Sequence, residues 1–69
     1  MERKHYLELC QKNAVNPDGV NVIYEGHKYY PLSLKIWFNW KGETKNTAEM
    51  LDCNSRSKLY CDVKDVSED

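Results

Sequence analysis

The side chains best suited to metal binding or nucleophilic chemistry in this 69-residue chain are Cys10, Cys53, Cys61, His5 and His27. A structural zinc site normally draws on closely spaced ligand pairs such as Cys-x2-Cys. The chain has no such pair. His5 and Cys10 stand five apart, a poor spacing for one helical face. If residues 54–57 form a turn, Cys53 lies opposite Lys58 and Cys61 opposite Met50, so the two cysteines are not neighbours. Cys10 and Cys61 read more simply as small buried apolar residues. Nucleophilic catalysis needs a thiol or hydroxyl beside a base and an orienting group. None of these cysteines or histidines sits in a strained turn or a glycine-rich loop. Asp62 and Asp65 could pair as carboxylates, but they fall in an acidic tail and read as solvated. The three glycines are isolated turn residues, so no loop cradles a phosphate. The expectation is a protein that is not an enzyme, with no catalytic residue, no metal ligand and no cofactor.

Aromatic side chains beside lysines are more informative. Tyr24, Tyr29, Tyr30, Trp37 and Trp40 lie in or near a segment where Lys28, Lys35, Lys41 and Lys45 outnumber the single acid Glu43. On a strand, Trp37 projects with Lys35 and Asn39, away from Ile36 and Phe38. An outward Trp can anchor a protein interface. It can equally stack a base of single-stranded nucleic acid while lysines follow the phosphates. In the plainest alternative, the N-terminal helix covers that face and Trp37 is core.

These residues need elements to hold them. Glu2 to Lys12 reads as a helix, with Tyr6, Leu7, Cys10 and Ala14 on one stripe and Leu9 flanking it. A helix this short is marginal alone and must pack on the rest of the chain. It should stop before Asn16-Pro17-Asp18-Gly19. Val20 to Tyr24 and His27 to Tyr30 then form a hairpin around Glu25-Gly26. Pro31 marks a break, an edge or a bulge. Leu32, Leu34, Ile36, Phe38 and Trp40 alternate with polar residues and Trp37, and are expected to face the core. Lys41-Gly42-Glu43 turns the chain into a strand over Asn46 to Cys53. Ala48 and Met50 point inward there, with a bulge or twist admitting Leu51. Lys58 to Val63 alternates again, with Leu59, Cys61 and Val63 on one face. Val66 adds a contact through a short helical turn, and Ser67-Glu68-Asp69 should fray.

Length allows one domain with a thin margin of stability, resting on Leu34, Ile36, Phe38, Trp40, Met50, Leu51, Leu59 and Val63. Ten Lys and Arg against eleven Asp and Glu speak against a protein dedicated to duplex DNA. The middle is basic and the tail from Asp62 to Asp69 is acidic, as two solvated surfaces of opposite sign would be. No run approaches a membrane span, no apolar stretch follows Met1-Glu2-Arg3-Lys4-His5, and three cysteines make no disulfide framework. A cytoplasmic protein with reduced thiols is expected.

Several segments together resemble small uncharacterised proteins encoded by bacteriophages and prophages of Firmicutes. They are Tyr6-Leu7-Glu8-Leu9-Cys10-Gln11, the run from Val22 through Tyr24-Glu25-Gly26-His27 to Tyr30-Pro31, Asn46-Thr47-Ala48 and Val63-Lys64-Asp65-Val66. Proteins of that kind commonly have Asn-Gly where this chain has Glu25-Gly26, which supports a tight hairpin there. The resemblance transfers no activity and no catalytic residue. It implies a phage or mobile-element origin and a short noncatalytic binding protein.

The expected fold is α+β: a helix over about 2–13 packed on a β unit over about 20–66, either a curled antiparallel sheet or an SH3-like barrel of four to five strands. The expected function is a noncatalytic protein-binding module with an unidentified protein partner, contacted through Trp37, Lys35, Tyr30 and Tyr60. A single-stranded nucleic-acid binder using the same aromatics with Lys28, Lys35, Lys41 and Lys45 is the second expectation. An unblocked sheet edge would also permit a homodimer.

Overall fold

Up to Val15 the chain contains neither Gly nor Pro, and it forms helix α1 (Arg3–Val15). The computed structural model describes residues 1–17 and 19–69; Asp18, part of the turn expected there, lies outside the described residues. The helix closes where the Asn16 amide donates to the Lys12 carbonyl at 3.0 Å, immediately before Pro17. Its buried residues are Tyr6, Leu9 and Cys10. Leu7 and Ala14, expected on that stripe, are exposed. At 3.6 residues per turn, Leu9 and Cys10 flank Tyr6, whereas Leu7 and Ala14 lie roughly 80–100° around the axis from it.

The remaining chain makes β1 (Val22–Tyr24), β2 (His27–Phe38), β3 (Thr44–Asp52), β4 (Lys58–Asp62), a 3-10 turn (Val63–Asp65) and β5 (Ser67–Glu68). All pairings are antiparallel, in the order β4-β3-β2-β1-β5. The sheet stays open, because β4 and β5 do not pair with each other; an SH3-like closure is not formed. Ser67 and Glu68 pair with Ile23 and Val22 rather than fraying.

Turn chemistry sets the register. Glu25 and Gly26 both take positive φ, 50° and 80°, which matches the right-handed twist of a two-residue hairpin. Asn39 Oδ1 accepts from the amides of Lys41 and Glu43, both at 2.9 Å, and Gly42 takes φ 81°. The last hairpin closes at Asp52, whose amide donates to Ser57 at 2.9 Å. Its turn is therefore residues 53–56, one earlier than expected, and Cys61 lies opposite Ala48 instead of Met50.

β2 runs through Pro31 and bulges between Pro31 and Ser33. The Cys53 amide donates to the Lys28 carbonyl, so by alternation Pro31 turns its backbone away from β3. Its missing N–H costs no rung with β3. The side it faces lies beyond the end of β1, which reaches only Tyr29. There the Pro31 carbonyl accepts from Asn13 Nδ2 of the helix at 3.2 Å.

Helix residues Tyr6, Leu9 and Cys10 pack on Val22, Tyr29, Ala48, Met50, Val63 and Val66. Leu34 and Leu59 are partly buried against this cluster, and Leu51 is half-buried on the opposite face. The bulge needed for Leu51 is absent from β3. Ile36, Phe38 and Trp40, expected in the core, are exposed. The reason is length: thirteen helical residues cover about 20 Å, whereas twelve strand residues reach about 40 Å. The end of the β2–β3 hairpin projects past the helix, and the molecule is 38 Å long.

Candidate functional site

Alternation along β2, β3 and β4 divides the sheet into a helix-covered face and an open face. Met50, Ala48, Leu59 and Cys61 mark the covered face, so their neighbours in the chain point to the open one. The helix does not cover Trp37. The six residues singled out from sequence, Lys28, Tyr30, Lys35, Trp37, Lys45 and Tyr60, all fall on the open face. They form three groups rather than one surface. Tyr24 and Tyr29 lie on the other side, where their rings meet edge-on at 6.4 Å.

The central group is built around Glu49, which no sequence signal singled out. Its carboxylate accepts from Ser33 Oγ at 2.9 Å and from the Tyr60 hydroxyl at 2.7 Å. Lys35 Nζ lies 4.0 Å from the same carboxylate and 5.6 Å from the Tyr60 ring centroid. The register explains the meeting: Glu49 faces Ser33 on one side and Tyr60 on the other. The Tyr60 and Ser33 hydroxyls hold the Glu49 carboxyl below the ordinary range, and the carboxylate pushes the Tyr60 phenol up.

At the core end, Arg56 lies 5.8 Å from the Tyr30 ring centroid. Lys28 Nζ is 3.6 Å from an Asp69 carboxylate oxygen. Lys28 and Lys35, two of the lysines proposed to follow phosphates, therefore stand beside carboxylates.

The third group is the projecting arm. Trp37 pairs across the strands with Lys45, and Ile36 and Phe38 project from the other side. Lys41 Nζ lies 5.2 Å from the Trp40 ring centroid at the turn. Exposure rises toward the tip: Ile36 43%, Trp37 57%, Phe38 73% and Trp40 90%. From the sequence Trp37 could lie either here or under the helix, and its three apolar companions are expected in the core. The available signal was a long alternating strand with no equally long helix to cover it.

Cys10 and Cys61 offer little reactivity. Desolvation pushes Cys10 and Cys61 up to about 11. Among the described residues no group of three or more His, Cys, Asp or Glu side chains is placed to hold a metal ion. Among the described residues no helix is long and apolar enough to cross a membrane.

Comparison with protein families, curated proteins and solved structures finds no match to this chain.

Proposed function

We propose that this chain is a noncatalytic protein-binding module whose contact surface is the projecting β2–β3 arm. One observation carries this role: Ile36, Trp37, Phe38 and Trp40 are all exposed on one short segment. Large exposed apolar side chains gathered on one segment mark an interaction site, and Trp is enriched among interface anchors. Lys45 lies beside Trp37 on the arm, and Lys35, Tyr60 and Tyr30 lie farther along the same open face, in the two groups nearer the core. The resemblance to small phage and prophage proteins supports a phage or mobile-element origin and a short binding protein.

A second role, binding single-stranded nucleic acid, is favoured by Lys45 beside Trp37 and Lys41 beside Trp40. The carboxylates beside Lys28 and Lys35, and a net charge of −1, weigh against it.

Substitution at Trp37 tests the first role. Trp37→Ala should abolish partner capture while changing unfolding stability by no more than about 0.5 kcal/mol, as for a surface position. A loss of several kcal/mol would show that Trp37 supports the fold instead. For the second role, oligonucleotide fluorescence anisotropy at low salt should stay flat; a salt-sensitive rise would favour nucleic acid.

A further inference from the structure

We infer that the outer edge of the arm pairs with the same edge of a second copy, forming a two-fold dimer centred on Ile36. The inference rests on reading the arm as a protein-binding surface and names its partner.

The backbone shows which groups are available. The Asn39 amide donates to the Glu43 carbonyl at 3.1 Å, one step outside the Phe38–Thr44 pair. In an antiparallel ladder the bonded residues alternate. Trp37 and Lys35 therefore turn their amides and carbonyls to β3, while Leu34, Ile36 and Phe38 turn theirs outward. β1 pairs with β2 only over His27, Lys28 and Tyr29, so among the described residues no strand lies beside those outward groups. An isolated two-stranded ribbon is marginal in water, and a third strand stabilises it. No Pro interrupts this stretch of edge, and its one charged residue is Lys35.

The same residues select the occupant and the register. For two antiparallel copies to bond through Leu34, Ile36 and Phe38, the two-fold axis must pass through one residue of the strand. Centring on Lys35 sets two lysines directly opposite, which is destabilising. Centring on Trp37 leaves Leu34 beyond the strand pairs, opposite Trp40 in the turn. Centring on Ile36 bonds Leu34 of each copy with Phe38 of the other, and Ile36 with Ile36. It also sets Lys35 of each copy opposite Trp37 of the other, a cation beside an aromatic ring. Leu34, Ile36 and Phe38 from both copies then join in one apolar strip on the helix side. The segment is complementary to itself in this register.

Sedimentation velocity on the full chain at about 100 µM, which would put most of the chain into an interface of ~10 µM affinity, should give a mass approaching twice the 8.2 kDa of the chain. Ile36→Pro removes an outward amide that the fold does not use, and should return the protein to monomer with its circular dichroism unchanged. Under mild oxidation Ile36→Cys should form a linked dimer, because opposed residues in a bonded pair stand about 5.5 Å apart. Lys35→Cys, Trp37→Cys and the unsubstituted chain should not. A monomeric wild-type chain overturns the dimer, as does linkage through position 35 or 37 in place of 36. A monomer whose Trp37→Ala variant still loses capture of another protein overturns the dimer and leaves the protein-binding role standing.

Discussion

The Tyr6 hydroxyl donates to the backbone carbonyl of Glu49 at 2.7 Å. Leu32 is the extra residue at the β2 bulge, and Glu49 lies opposite that bulge. A helix side chain therefore bonds the backbone at the irregular rung between the two longest strands. Asn13 holds the adjacent Pro31 carbonyl. The helix is tied to the sheet by hydrogen bonds at the point where the ladder is broken, as well as by apolar packing.

Tyr6→Phe keeps the packing and removes this hydrogen bond. It should destabilise the protein by about 1–3 kcal/mol, the cost of leaving a buried polar group unmatched. The change should appear as a lower urea midpoint with an unchanged slope. A midpoint equal to that of the wild type would show that water replaces the hydroxyl without loss.

Stability should fall in alkali. Cys10 and Cys61 have folded pKa values of about 11 against ordinary values of 9.0, and burial also raises the pKa of Tyr6. A raised folded pKa means that the unfolded chain releases these protons first. The stabilisation is complete below pH 9 and is lost progressively as pH rises through about 11. Urea midpoints measured from pH 8 upward should decline over this range, and Cys10→Ala should flatten the decline. At neutral pH, Cys10 and Cys61 should alkylate at least about tenfold more slowly than a free thiol, mapped by peptide mass spectrometry.

The central polar group should titrate as a unit. Tyr60 and Ser33 depress the Glu49 pKa below 4.5, so the stabilisation from this group is present above that value and lost as pH falls beneath it. In carbon-detected NMR titrations, Tyr60→Phe should raise the Glu49 midpoint more than Ser33→Ala does, because the Tyr60 hydroxyl is the larger cause. Equal midpoints in all three proteins would mean that these hydrogen bonds do not persist in solution.

Local chemistry is readable residue by residue. The Glu25-Gly26 hairpin, the turn at Gly42, the helix stop before Pro17 and the inward Ala48 and Met50 follow from φ preferences and period-two alternation. So does the projection of Trp37 away from Ile36. Alternation separates two faces, but it does not say how far along a face the cover extends. That depends on where α1 docks, and α1 docks where Tyr6 and Asn13 meet the bulge. A helix of about 20 Å seated there leaves the far end of a strand of about 40 Å uncovered. Ile36, Phe38 and Trp40 have core-like side chains and a core-like pattern, yet their burial depends on a long-range contact that no local spacing encodes. Glu49 was illegible for the same reason: its partners Ser33, Lys35 and Tyr60 come from two other strands and meet only once the sheet's register is set.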